Sequence, residues 1–74
     1  MRVNGSTLDM DYGTRRKRRE TIKNILISLS AIRDAEQNYL ENVPENFQNS
    51  ESFEIGEAAV DTLDDIIGLL ADVY

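Results

Sequence analysis

The chain has 74 residues, of which 41% are hydrophobic and 30% charged, and its formal net charge is −6. This length holds a single domain, and the absence of cysteine and histidine excludes disulfides, the usual zinc ligands and the commonest general base near neutral pH. No apolar run approaches the roughly 18 residues of a membrane span, so we expect no membrane partner.

The charges are unevenly distributed along the chain. Residues 1–33 contain all eight basic residues and three acidic ones, whereas residues 34–74 contain eleven acidic residues and no basic one. Such polarity between the two halves predicts a charged partner or self-association.

Residues 1–13 mix glycine, serine, asparagine and aspartate without periodicity, and we interpret them as a flexible arm. They lack the apolar segment of a secretory signal, so the expected compartment is the cytoplasm. A helix is predicted over residues 14–43, with Thr14 as its N-cap and its end at Val43, because the residue before Pro44 avoids the α conformation. Its apolar face is predicted to comprise Ile22, Ile25, Leu26, Leu29, Ile32, Tyr39, Leu40 and Val43.

A loop is predicted over residues 44–50, where proline, asparagine and serine cluster. We expect Phe47 to fold back and close that end of the core. The tip formed by Asn46, Phe47 and Gln48 is a candidate contact surface. Ser50 or Ser52 is suited to cap the second helix.

The second helix is predicted over residues 51–73. Its apolar residues step by three and four, as in a coiled coil, and Gly56 fills the remaining position of the pattern. These apolar residues are Phe53, Val60, Leu63, Ile67, Leu70 and Tyr74. Two amphipathic helices joined by a short loop predict an all-α fold, an antiparallel αα-hairpin. Each apolar face spans roughly 140°, which is more than one neighbouring helix covers, so we expect association into a four-helix bundle or docking on a partner.

Five consecutive basic residues, Arg15, Arg16, Lys17, Arg18 and Arg19, lie at the start of the first helix. We call them the basic run. Three interpretations stay open: a solvated or self-associating extension of the helix, a site for an acidic protein surface, and a site for nucleic acid. The negative net charge and the lack of interleaved aromatic residues disfavour direct binding of nucleic acid.

One face of the second helix carries a row of carboxylates with no interspersed lysine or arginine. We call this row the acidic stripe: Glu54, Glu57, Asp61, Asp64, Asp65 and Asp72. Its charges lie about 4–6 Å apart, which approaches the spacing of phosphates, so the stripe could mimic nucleic acid before a basic groove. The alternative is a solvated face that keeps the protein soluble. Gly68 lies within the stripe, where it either permits close approach of a partner or is neutral.

Glu36 is predicted to lie in the centre of the first helix's apolar face, opposite Ala58 and Ala59. It either sets the register of a bundle, paired with Arg33, or lies at an edge that faces a partner. The sequence contains no known motif of catalytic or metal-binding residues, and adjacent carboxylates such as Asp64 and Asp65 point apart on a helix. We therefore expect no enzyme activity, no metal and no cofactor.

Residues 32–70 contain the loop "NVPENFQNSES" and the acidic helix segment "AAVDTLDDI". This part of the chain resembles short uncharacterised helical-hairpin proteins of phages and prophages of Gram-positive bacteria. The basic run and Gly68 depart from that pattern. The resemblance implies a hairpin and, because small acidic phage proteins are often inhibitors of host defence, a modulator in the host cytoplasm.

The leading functional hypothesis is therefore a phage-encoded protein-binding module. It would inhibit a host defence protein, such as a nucleic-acid-binding effector, through the acidic stripe and the loop tip. The first alternative is a structural homo-oligomer, such as a homodimeric helical bundle. The second is a small nucleic-acid-binding regulator that uses the basic run.

Overall fold

A computed structural model of the chain describes residues 12–74. It contains two helices, α1 over Arg15–Glu41 and α2 over Glu51–Ala71, with a 3-10 turn over Glu45–Phe47 between them. The described residues form no strand, and α1 and α2 pack against each other along their lengths. The all-α helical hairpin predicted from the sequence is confirmed. Of the predicted arm, only Tyr12 and Gly13 lie within the described residues.

The first helix begins and ends on local hydrogen bonds. Thr14 has extended backbone angles, and its side-chain oxygen accepts a hydrogen bond from the Lys17 backbone N–H at 3.1 Å, which caps the first turn. At the other end, the backbone N–H groups of Asn42 and Val43 donate to the carbonyls three residues earlier. This tightening ends α1 at Glu41, two residues before the predicted boundary at Val43.

The connection between the helices is held by its own backbone. The Phe47 N–H donates to the Pro44 carbonyl at 2.9 Å, and the Ser50 side chain caps α2 by accepting from the Phe53 N–H at 3.1 Å. Phe47 is 58% exposed, so the expectation that it closes the end of the core is wrong. The 3-10 turn holds Phe47 at the surface of the loop, and Phe53 packs beside Leu40 and Val60 instead.

The core is a narrow seam between the two helices. Among the hydrophobic side chains of residues 12–74, only Leu40 and Val60 are buried, each 6% exposed; Gly56 is also buried, and the other seam residues are half-buried. The seam consists of Ile22, Leu26, Leu29, Leu40 and Val43 of α1 and Phe53, Gly56, Val60, Leu63, Ile67 and Leu70 of α2. Because a core of this size contributes at most about 3–5 kcal/mol, the isolated hairpin has a small margin of stability.

Gly56 explains how closely the helices approach near the loop. A Cβ built on Gly56 would lie 2.8 Å from Cδ2 of Leu40 and 2.7 Å from Oε2 of Glu36. Any side chain at this position therefore displaces a neighbour. The glycine lets Leu40 pack directly on the backbone of α2.

Three contacts define the antiparallel register. Leu40 lies against Gly56, Arg33 pairs with Asp64, and the Arg19 guanidinium lies 5.5 Å from the centre of the Tyr74 ring. The helices therefore stay paired as far as Arg19, and the rest of the basic run extends beyond α2. Neither described helix has an apolar stretch long enough to cross a bilayer.

Candidate functional site

An apolar column on α1 is left uncovered by α2. Ile25, Ile32 and Tyr39 follow one another at intervals of seven and lie on one side of the helix. They are 45%, 55% and 52% exposed, although their neighbours Leu26 and Leu40 lie in the seam. Only one edge of the apolar face predicted for α1 therefore packs in the seam, and the other edge is uncovered.

A second uncovered column lies on α2. Ile55, Ile66, Leu69 and Val73 are all more than 40% exposed, and Ala59 between them is half-buried. On both helices the uncovered residues lie on the side of the seam opposite the Arg33–Asp64 pair, so the two columns form one continuous surface. We call this surface the open face: Ile25, Ile32 and Tyr39 of α1 with Ile55, Ile66, Leu69 and Val73 of α2.

Glu36 lies where the open face meets the seam. Its carboxylate is over Gly56, about one turn nearer the loop than the predicted neighbours Ala58 and Ala59. Its side chain is half-buried, and within residues 12–74 it has no hydrogen bond or ion pair. Arg33, the partner considered from the sequence, is directed to the opposite edge. Of the two alternatives, the geometry favours the edge position.

The opposite edge of the hairpin is closed by an ion pair. The Arg33 side chain donates to both oxygens of Asp64, from Nε at 2.8 Å and from Nη2 at 3.4 Å, and its Nη1 lies 3.5 Å from Asp34. The hydrogen bond with Asp64 raises the pKa of Arg33 above its ordinary value, outweighing the opposing effect of desolvation. Because arginine is charged well above neutral pH in any case, the pair persists through the neutral range.

The acidic stripe lies on the outer side of α2 and borders the open face at Leu69, which lies four residues after Asp65 and three before Asp72. All six carboxylates are exposed, but Asp64 is already engaged by Arg33, so the stripe is partly neutralised within the hairpin. Glu57 and Asp61 border an open groove with Glu41, Leu40 and Phe53. The structure thus brings carboxylates of both helices together but gives them no enclosed cavity. Asp72 is the C-cap of α2.

The basic run occupies the first turns of α1, where a helix carries partial positive charge. Arg18 donates from Nη1 to the Tyr12 carbonyl at 2.7 Å, and Arg19 lies over Tyr74. The side chains of Arg15 and Arg16 are exposed and make no hydrogen bond or ion pair among the described residues. Basic residues at a helix start are unfavourable for the isolated helix, so their presence needs another explanation.

The predicted loop tip is exposed at Asn46, Phe47 and Gln48. Gln48 donates from its side chain to the Val43 carbonyl at 3.3 Å, which ties the tip to the end of α1. The exposed Phe47 ring remains available for contact.

Gly68 lies in open space: a Cβ built there has no neighbour within 4 Å. Replacing Gly68 by alanine is therefore expected to stabilise the protein by up to about 1 kcal/mol, because alanine has the better helix propensity. Thermal unfolding followed by circular dichroism measures the effect. Gly56→Ala is the matched control, since its added methyl group meets Leu40 and Glu36 and offsets the same gain. Equal stabilisation by both changes would contradict the difference between the two glycines.

No group of three acidic side chains within residues 12–74 is arranged to hold a metal ion. The open face is a functional candidate whose residues the sequence analysis did not single out as a site. Its signal was present in the spacing of Ile25, Ile32 and Tyr39, and again in Ile66 and Val73, which lie seven apart.

Comparisons with protein-family models, with curated proteins and with solved structures found no match. The resemblance to phage hairpin proteins stays a prediction.

Proposed function

We propose that the chain is a non-enzymatic protein-binding module that acts by packing its open face on another protein surface. The observation that carries this proposal is the side-by-side exposure of Ile32 and Ile66, 55% and 41%, beside a seam with only two buried hydrophobic side chains. Large contiguous apolar surfaces on small proteins are typical of interaction sites. Helical hairpins commonly bury such a surface by pairing with further helices.

The acidic stripe supports a second, narrower proposal. Asp61 and Asp65 are exposed, lie on the outer side of α2 and have no ion pair within the described part of the chain. A hairpin held by its open face therefore still presents these carboxylates to a basic surface. A phage-encoded modulator of a host effector would use these carboxylates to bind a basic surface of that effector. The negative charge of the same carboxylates disfavours direct binding of nucleic acid.

Site-specific photo-cross-linking in the cells that produce the protein tests both proposals. A photoreactive amino acid is placed at Ile32 on the open face, at Asp61 on the acidic stripe, or at Ile27. Ile27 is the matched control, because it is an isoleucine with 63% exposure on the side of α1 turned away from the open face.

We expect cross-linked products from position 32 and none from position 27. Mass spectrometry of the products identifies the captured chain. Products from position 61 would support the narrower proposal, and their absence would remove it. Equal labelling at positions 32 and 27 would contradict the protein-binding module.

A further inference from the structure

We propose that the open face is covered by a second copy of this chain, stacked face to face and head to tail, so that the basic end of each hairpin lies beside the loop end of the other. This inference rests on the proposed function and names its partner. The dyad crosses α1 at the level of Ile32 and α2 at the level of residue 64, two residues before Ile66. In this arrangement α1 packs on α1 of the second copy and α2 on α2, giving a four-helix bundle with antiparallel neighbours.

The charges at the two ends of the hairpin favour this orientation. The open end, residues 12–23 and 70–74, carries six basic and two acidic residues. The loop end, residues 34–57, carries seven acidic residues and no basic one. Head-to-tail stacking brings opposite charges together, whereas stacking with the loops at the same end places like charges together.

The head-to-tail dimer also explains the charge pattern of α1. Its first turn has no acidic residue and its last turn no basic one, so both ends oppose the helix dipole. In the head-to-tail dimer the basic start of α1 lies beside the acidic end of the other α1. The second copy thus compensates an arrangement that costs stability in the single hairpin.

The heptad column supplies a specific neighbour for the basic run. Arg18 lies seven residues before Ile25 and so continues the column of Ile32 and Tyr39. Arg18 lies fourteen residues from Ile32, which is about 20 Å along the helix at about 1.5 Å rise per residue. Arg18 of the second copy is therefore at the height of Glu51 of the first copy. Its bond to the Tyr12 carbonyl uses Nη1 and leaves further N–H donors on the guanidinium.

The apolar residues match in the same register. With the dyad at Ile32, Ile25 of one copy faces Tyr39 of the other, because each lies seven residues from Ile32. On α2, the register set by Leu40–Gly56 and Arg33–Asp64 places Val73 opposite Ile55, and Leu69 opposite the small Ala59. Leu69 therefore meets a small residue, and in the other two pairs an apolar side chain meets another apolar side chain, so no apolar residue of these pairs faces a charge.

Sedimentation equilibrium tests the association itself. We expect a species of twice the 8.4 kDa chain mass, and an Ile32→Asp, Ile66→Asp variant that dissociates at least tenfold more readily. Ile27→Asp is the matched control and leaves the dimer intact. Added salt weakens the head-to-tail dimer, because it screens attraction between the opposite ends. A monomer at every concentration would overturn the proposal.

Engineered cysteines test the orientation, since the chain has none of its own. A mixture of Ile25→Cys and Tyr39→Cys chains is expected to form a mixed disulfide, and Ile32→Cys is expected to form a disulfide with itself. A mixture of Ile25→Cys and Val73→Cys chains is the control. A mixed disulfide from this pair instead, with association strengthened by salt, would show loops at the same end and overturn the head-to-tail arrangement.

The outcomes separate this inference from the proposed function. A monomer whose position 32 cross-links to a different protein would refute the dimer and leave the protein-binding module standing. A monomer without cross-links at position 32 would refute both.

Discussion

Replacement of Leu40 by alanine is expected to unfold most of the protein at concentrations where the hairpin is monomeric. Leu40 is one of the two hydrophobic side chains buried in the described part of the chain, and it packs on the backbone at Gly56. Deleting a buried leucine side chain costs about 2–5 kcal/mol, because the apolar transfer free energy is lost and a cavity remains. The whole core contributes only about 3–5 kcal/mol to the free energy of unfolding, so the loss expected from this one change is close to the whole contribution.

Urea unfolding followed by circular dichroism at several protein concentrations measures the effect. Ile27→Ala is the control, because Ile27 loses a comparable side chain from an exposed position, where the change is expected to stay within about 0.5 kcal/mol. Similar unfolding midpoints for the two variants would mean that the seam between α1 and α2 does not form the core.

Replacement of Gly56 by leucine is expected to produce the second large effect. Even a Cβ at this position lies within 3 Å of Leu40 and Glu36. A leucine side chain must therefore separate α1 from α2 near the loop, and overpacking of this kind costs about 1–3 kcal/mol or more. The change is measured by the same urea unfolding.

A compensating variant distinguishes overpacking from other causes. Combining Gly56→Leu with Leu40→Ala transfers the large side chain from α1 to α2. We expect this double variant to be destabilised much less than the sum of the destabilisations caused by the two single changes. For residues in contact, the expected coupling free energy is about 0.5–3 kcal/mol. Additive effects would show that the two positions do not share one packing site.

The fold was predictable because each of its elements has a local signal. Thr14 and Ser50 mark the helix starts, Pro44 marks the break, and two apolar periodicities of the helical type flank it. The two extra residues predicted at the end of α1 were wrong because the final tight turn depends on backbone hydrogen bonds that no residue type announces.

The candidate site was only partly predictable. The sequence indicated that both apolar faces are wider than one neighbour can cover, but not which residues face the seam. That division depends on the helix rotation set by Leu40 against Gly56 and by Arg33 with Asp64. The same register places Glu36 over Gly56, and the 3-10 turn of the loop leaves Phe47 exposed. Each result depends on three-dimensional placement that periodicity alone does not give.

The order of contacts along the seam also has a consequence for folding. Leu40 meets Gly56 across a short chain segment, Arg33 meets Asp64 across a longer one, and Arg19 meets Tyr74 across the longest. The entropy lost on closing a loop rises with its length. The contacts between α1 and α2 should therefore form first beside residues 44–50 and then progressively toward the open end of the hairpin. Within α1, amide hydrogens next to the loop would then exchange most slowly, and those of residues 15–19 would exchange first.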